Sequence, residues 1–287
     1  MSRKLGTVAA AVAVAVSLGA CSTDGTATSS DEQAAPPAVC APLPPADITT
    51  AAGWVGYVGS HPDDIAFVVD DGRGRTVEHR TGDTVPLASA IKVVHLAAYA
   101  RAVASGELDP AEPVPLSEWE RCAMIQESDN AVPDYLRDRL GDAALADAAA
   151  QGGWDDLEVP TLLGSTIALL DPAMSRDARW DAARRYAHDD AYREQVVRMS
   201  PGDNFPAVTA RVQESGVTGS AAGLASLHRA IASGDFGPGS DVARRTLEWQ
   251  PAPPGLDGPG FKGGNLPGVV TEAMTDPDTT SQLSCAV

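Results

Sequence analysis

Ser89-Ala90-Ile91-Lys92-Val93-Val94-His95-Leu96-Ala97-Ala98-Tyr99-Ala100 is the stretch on which the reading of this chain turns. It predicts a helix from Ser89 to Ser105, stopped by Gly106, that is apolar nearly all round and therefore buried. Ser89 and Lys92 lie three residues apart, so their side chains share one helix face. Serine is a weak nucleophile without a neighbouring base. A buried lysine loses charge readily and can act as that base. The start of a helix also offers backbone N–H groups to a developing oxyanion. Beyond the first few residues, lysine occurs only at Lys92 and Lys262; arginine supplies every other side-chain positive charge. Lysine differs from arginine in giving up its proton when buried, so two isolated lysines point to placed chemistry.

Two further segments extend the pattern. Ser128-Asp129-Asn130 falls at an expected junction between helices, where Asp129 or Asn130 would cap the next helix. Ser128 is also placed to relay a proton between Lys92 and a leaving atom, and Asn130 to hold Lys92 and bind a substrate amide. Lys262-Gly263-Gly264-Asn265 begins an expected strand. Glycine beside a strand lets a ligand approach the backbone closely. Lys262 would attract a substrate carboxylate, and the N–H of Asn265 would serve as a second oxyanion donor.

Strands are expected at Ile65–Val69 and Arg75–His79 near one end of the domain, and at Phe261–Lys262, Val269–Met274 and Ser281–Val287 near the other. The middle reads as helix: a capping box at Ser117 and Glu120 starting a helix that runs to Ser128, then Ala131–Gly141, Arg176–Met199, Ser220–Ser233 and Asp241–Trp249. The expected fold class is α/β, of the α+β kind: an antiparallel sheet built from both chain ends, flanked by helices, with an inserted all-helical lobe. The site is then the cleft between sheet and lobe.

The order Ser-x-x-Lys, Ser-Asp-Asn, Lys-Gly-Gly resembles the signatures of the class A β-lactamase and penicillin-binding protein superfamily, whose third motif is Lys-Thr-Gly. The resemblance implies acyl-enzyme formation on β-lactams or D-Ala-D-Ala peptides. Ser89 would be nucleophile, Lys92 acylation base, Ser128 proton shuttle and Lys262 anchor, with Asn130, Gly264 and Asn265 binding substrate. The sequence departs from that pattern at three places. Gly263 lacks the threonine hydroxyl that would bind a substrate carboxylate. No Glu-x-x-Leu-Asn run positions a deacylating water; Glu158 is followed by Val159-Pro160-Thr161-Leu162 and reads as a surface turn. The last expected strand is followed by no helix to pack on the sheet. Acylation with slow deacylation is the expected behaviour, and the alternative is a catalytically degenerate binding lipoprotein on the same scaffold.

The N-terminus reads as a processing segment. Arg3 and Lys4 precede an apolar run from Thr7 to Val16, and Leu18-Gly19-Ala20-Cys21 resembles a bacterial lipobox. Residues 1–20 are expected to be a lipoprotein signal peptide. Residues 21–50, rich in Ser, Thr, Ala and Pro, would be an acylated Cys21 and a solvated tether, and residues 51–287 the hydrolase domain. Lipidation at Cys21 would hold the protein on the extracytoplasmic face of a membrane. Cys40 and Cys285 are the expected disulfide, with Cys122 free. A formal net charge of -18 over 287 residues argues against nucleic acid and anionic lipid as partners. A monomer acting on a small molecule or a peptidoglycan peptide, without metal or cofactor, is expected.

A competing pattern is His61-Pro62-Asp63-Asp64, which resembles the metal motif of zinc-dependent sugar deacetylases. Ile65 stands where that motif continues with an acidic residue, and His188-Asp189-Asp190 supplies no second ligand set, so a turn before a strand is the preferred reading. His95 is read as a packing histidine.

Overall fold

The computed structural model describes residues 51–70, 74–112, 123–154, 159–171, 173–199, 217–251, 258–266, 268–276 and 281–286. Cys21, Cys40, Cys122, Ser117, Glu120 and Glu158 lie outside them, as does the side chain of Cys285, so the tether, the disulfide and the capping box belong to that remainder.

The sheet uses both ends of the chain. Strands β1 (Ala66–Asp70), β2 (Thr76–His79), β5 (Gly260–Leu266), β6 (Val269–Asp276) and β7 (Ser281–Ala286) form one five-stranded antiparallel sheet in the order β2-β1-β7-β6-β5. Register pairs such as Phe67 with Cys285 and Lys262 with Ala273 stitch early and late segments together. Strand β5 is an edge, and its outer side faces the start of the buried helix. A second, two-stranded sheet pairs β3 (Val85–Pro86) with β4 (Thr218–Gly219). Thr271 Oγ1 donates to Pro86 O at 3.1 Å, tying it to the large sheet.

Helix α1 (Ala51–Ser60) opens the described fold, where the sequence reading has only a domain start. Tyr57 from α1 packs with Ile65 and Phe67 in a small cluster of its own. The central element is the expected buried helix, but it starts differently. Ala88–Ile91 is a 3₁₀ turn, and α2 proper runs from Lys92 to Ser105. Gly106 ends it in the left-handed region at φ 75°, as the sequence implies. Val93, Val94, Leu96, Ala97, Ala98 and Ala100 are all buried in the main core. At roughly 1.5–3 kcal/mol for each large side chain removed from water, that burial holds the helix in place far more firmly than its many alanines could alone.

Around it pack α3 (Ala123–Gln126), α4 (Ala131–Leu140), α5 (Asp142–Gln151) and α6 (Leu162–Leu170), followed by α7 (Ala178–His188), α8 (Asp190–Arg198), α9 (Ala221–Ser233) and α10 (Ser240–Leu247). The reading of Arg176–Met199 as one helix is corrected: it breaks at Asp189, at φ -123° and ψ 100°, where the carboxylate caps α8 by accepting from Tyr192 N at 2.9 Å. Helices α5 and α6 were not anticipated. For α6 the signal was Thr161, whose hydroxyl accepts from Gly164 N at 3.0 Å and starts an otherwise apolar run. A second cluster, with Leu163, Ile167, Ala182, Ala183, Tyr192 and Val196, forms the core of the lobe.

His61-Pro62-Asp63-Asp64 is the turn between α1 and β1. His61 stacks on Tyr57 with ring centroids 4.5 Å apart, and its Nδ1 lies 3.1 Å from Tyr57 O. His79 Nε2 donates to Pro62 O at 2.7 Å, and Arg80 donates to Asp63 O. Among the described residues no group of three or more His, Cys, Asp or Glu is arranged to hold a metal ion.

Candidate active site

Lys92 is the residue from which the site is best built. It is 0% exposed at the head of α2, and helical side chains lean toward their own N-terminus. Its Nζ therefore reaches back to Ser89, 3.0 Å from Oγ. It also contacts Ser128 twice: it donates to the backbone O and lies 3.1 Å from Oγ. Burial, with Lys262 close by as a second cation, pushes the Lys92 amine down to about 7, although Asp129 and Asp134 pull the other way.

Ser89 and Ser128 both depend on unusual backbone. Ala88, directly before Ser89, has φ 47°, and Ser128 has φ 58°. Left-handed conformations cost non-glycine residues roughly 1–3 kcal/mol each and persist only where the surroundings impose them. Here they aim two hydroxyls at one amine. Behind Ser128, Asp129 Oδ1 accepts from Ala131 N and Val132 N, both at 2.8 Å, and so caps α4. Asn130 makes no side-chain cap. The alternative left open by the sequence is resolved in favour of Asp129.

Strand β5 brings the third piece. Lys262 is 4% exposed, with Nζ 3.2 Å from Ser128 Oγ and donating to Gly263 O. Burial pushes it down to about 8. The expected carboxylate-attracting lysine thus faces inward, toward Ser128. Gly264 sits directly against the 3₁₀ turn. A Cβ on it would collide with Ser89 N and lie 2.7 Å from Ala90 N and 2.9 Å from Ser89 Cα, so only glycine permits this approach. Asn265, the next residue, is exposed on the strand edge.

The structure therefore gathers Ser89, Lys92, Ser128, Lys262 and Gly264 around one point. Asn130 is placed otherwise than expected: its Nδ2 donates to Thr166 Oγ1 at 3.0 Å, while Ser128 takes the hydrogen bonds of Lys92. Thr166 also donates to Leu162 O at 2.9 Å. This brings α6 to the border of the site. Asp134, one turn into α4, holds the start of α6: its carboxylate accepts from Leu162 N at 2.7 Å, Leu163 N at 3.1 Å and the Thr161 hydroxyl. Burial pushes Asp134 up to about 6 against those bonds. Neither Thr166 nor Asp134 was identified from sequence; the only available signal was the spacing of Asp134, four residues after Asn130 on one helix face.

His95 follows Lys92 by one turn. It is 0% exposed, and burial drives it down to about 3 against the opposing pull of the Ile91 backbone carbonyl. It is an uncharged packing group, as read from sequence.

No family model matches the chain, and no curated protein matches it significantly. Solved structures do match. A β-lactamase from Sphaerobacter thermophilus aligns over 81% of this chain and 86% of its own, with a TM-score of 0.57 and 17% identity. An ancestral class A β-lactamase of Gram-negative bacteria aligns over 81% and 88%, at TM-score 0.53 and 16% identity. A β-lactamase from Streptosporangium roseum aligns over 81% and 86%, at TM-score 0.53 and 15% identity. The chain has the β-lactamase-like fold; sequence identity this low carries the architecture and not the chemistry.

Proposed function

We propose that this protein is an exported serine hydrolase, anchored by lipid at Cys21, that forms an acyl-enzyme at Ser89 on β-lactams or related acyl substrates. The observation that carries this reading is the buried Lys92 amine 3.0 Å from Ser89 Oγ with its proton affinity lowered to about 7. A general base is most effective when its pKa lies near the working pH and it sits within hydrogen-bond reach.

In the proposed reaction Lys92 takes the Ser89 proton as Oγ attacks the acyl carbon. The Oγ–C bond forms, and the negative charge on oxygen is received by the N–H groups of Ser89 and Asn265. The bond to the departing atom then breaks. Ser128 gives that atom its proton and is reprotonated from Lys92, with the Lys262 charge 3.2 Å away stabilising the hydroxyl while it is short of a proton. Water reverses the sequence to release the acyl group. Deacylation is slow because the nearby carboxylates are committed: Asp129 caps α4 and Asp134 holds α6. A positioned acid or base contributes roughly 10²–10⁴-fold.

Intact-mass analysis after incubation with a fluorescent penicillin tests the proposal. One adduct on wild type, none on Ser89→Ala, and a labelling rate that rises through pH 7 as Lys92 deprotonates are the expected results. Folded wild-type protein that takes no label from the penicillin or from a neutral activated ester is instead a non-catalytic binding lipoprotein.

A further inference from the structure

Strand β5 runs past Ser89 in two directions, and on the acyl-enzyme reading above these take the two parts of a substrate. Successive side chains of a strand alternate between faces, so positions 262, 264 and 266 share one. On that face Lys262 reaches Ser128 and Gly264 abuts Ser89 N. Ser128 hands the departing atom its proton, so the departing portion lies toward Lys262. The acyl portion then extends the other way, toward Leu266, roughly 7 Å along the strand from Gly264.

The side chains gathered at that end are apolar. Leu266 is paired in register with Val269 on β6, and directly opposite residues of an antiparallel pair project from the same face. Val269 is buried together with Ala88, the residue directly before Ser89, and Leu266 and Leu169 pack against that pair while staying half-buried. Leu169 belongs to α6 and follows Thr166 by three residues, so it shares a helix face with the hydroxyl that holds Asn130. The same helix buries Leu162, Leu163 and Ile167 in the core but leaves Leu169 partly open. One leucine thus comes from the sheet and one from the lobe, each from an element that borders the site, and both rest beside the residue that precedes Ser89.

We propose that Leu169 and Leu266, on a base of Ala88 and Val269, form a subsite for the acyl portion of the substrate, and that Ser89 is acylated fastest by apolar acyl groups. A chain laid there removes half-open leucine surface from water while its carbonyl stays at the N–H of Ser89. A penicillin whose side chain ends in an aromatic ring meets the same requirement, in keeping with the labelling expected above.

The test follows the burst of p-nitrophenolate from p-nitrophenyl acetate, butanoate and hexanoate with enzyme in excess, each rate normalised to that ester's hydroxide-catalysed hydrolysis. Ser89 Oγ bonds to the acyl carbon, its proton passes to Lys92, and p-nitrophenolate leaves with the electron pair of the broken C–O bond. Fully burying a methylene is worth about fourfold, and half-burying one about twofold, so hexanoate should exceed acetate on the order of tenfold. The hexanoate-to-acetate ratio should fall toward one in Leu169→Asn and Leu266→Asn. It should stay high in Leu169→Met and Leu266→Met, which keep an apolar side chain of similar volume. Where an asparagine variant does not fold, the wild-type series and the methionine variants decide. A wild-type ratio near or below one, or a ratio that folded asparagine variants leave unmoved, overturns the proposal. Release that survives Ser89→Ala, or none from any ester together with no label from the penicillin, instead removes the acyl-enzyme reading, and this inference with it.

Discussion

Replacing Lys92 with methionine should stabilise the protein while abolishing its proposed chemistry. Lys92 is fully buried, and its amine is lowered from 10.5 to about 7. A drop of that size corresponds to a penalty on the order of 5 kcal/mol. Unfolded chain keeps the lysine proton up to its ordinary pKa, whereas folded chain gives it up near 7. Between those values the unfolded state binds more protons, so unfolding free energy rises with pH. The penalty is complete below pH 7 and fades above it. Methionine fills nearly the same volume without the charge; Ser128 Oγ keeps Lys262 as a donor and Ser89 is only half-buried, so the main loss is the donor to Ser128 O, which costs roughly 1–3 kcal/mol. The net gain at pH 6 should be roughly 2–4 kcal/mol, or on the order of 5–10 °C in melting temperature for a domain this large. Calorimetric scans of both proteins from pH 6 to pH 9 measure it, with Ser89 labelling followed in parallel. Labelling should fall roughly 10²–10⁴-fold, and the stability gain should shrink as pH rises. A variant that melts below wild type at pH 6, or whose advantage is independent of pH, would refute the claim that a desolvated charge is held at this position.

Three other outcomes follow from the same geometry. Gly264→Ala forces a methyl into Ser89 N and Ala90 N; denaturant titration should show a loss of roughly 1–3 kcal/mol or more, with acylation reduced further than stability, and wild-type behaviour would contradict the close approach. Thr166→Val removes the acceptor for Asn130, so labelling should slow about tenfold while Thr166→Ser retains the rate; equal rates in both would remove α6 from the site. Asp134 is raised from 3.8 to about 6, so the unfolded carboxylate loses its proton first and wild-type stability should decline by up to about 3 kcal/mol on this account between pH 4 and pH 6. Asp134→Asn should flatten that interval in a wild-type-minus-variant comparison of melting curves, and an unchanged slope would exclude it.

The sequence was most legible where a relation spans one helical turn or one strand. Ser89 and Lys92 share a helix face because of their spacing, Gly106 stops α2 by its left-handed backbone, and alternating strands at both ends imply a sheet made from both. The break at Asp189 was missed because a polar helix with arginines throughout continues the period on either side of a single extended residue. Helix α6 was missed because nine residues from Leu162 to Leu170, apolar but for two, give no clear period.

What the residues alone decided is which chemical groups are available: a nucleophile, two lysines able to lose charge, a relay hydroxyl and glycines beside a strand. Folding decided their relations. It turned Lys262 inward to Ser128, gave Asn130 to Thr166 and assigned Asp134 to the start of α6. Those pairings span 134, 36 and 28 residues, and no local spacing encodes them, because they arise only when the core around α2 closes and removes the alternative of water.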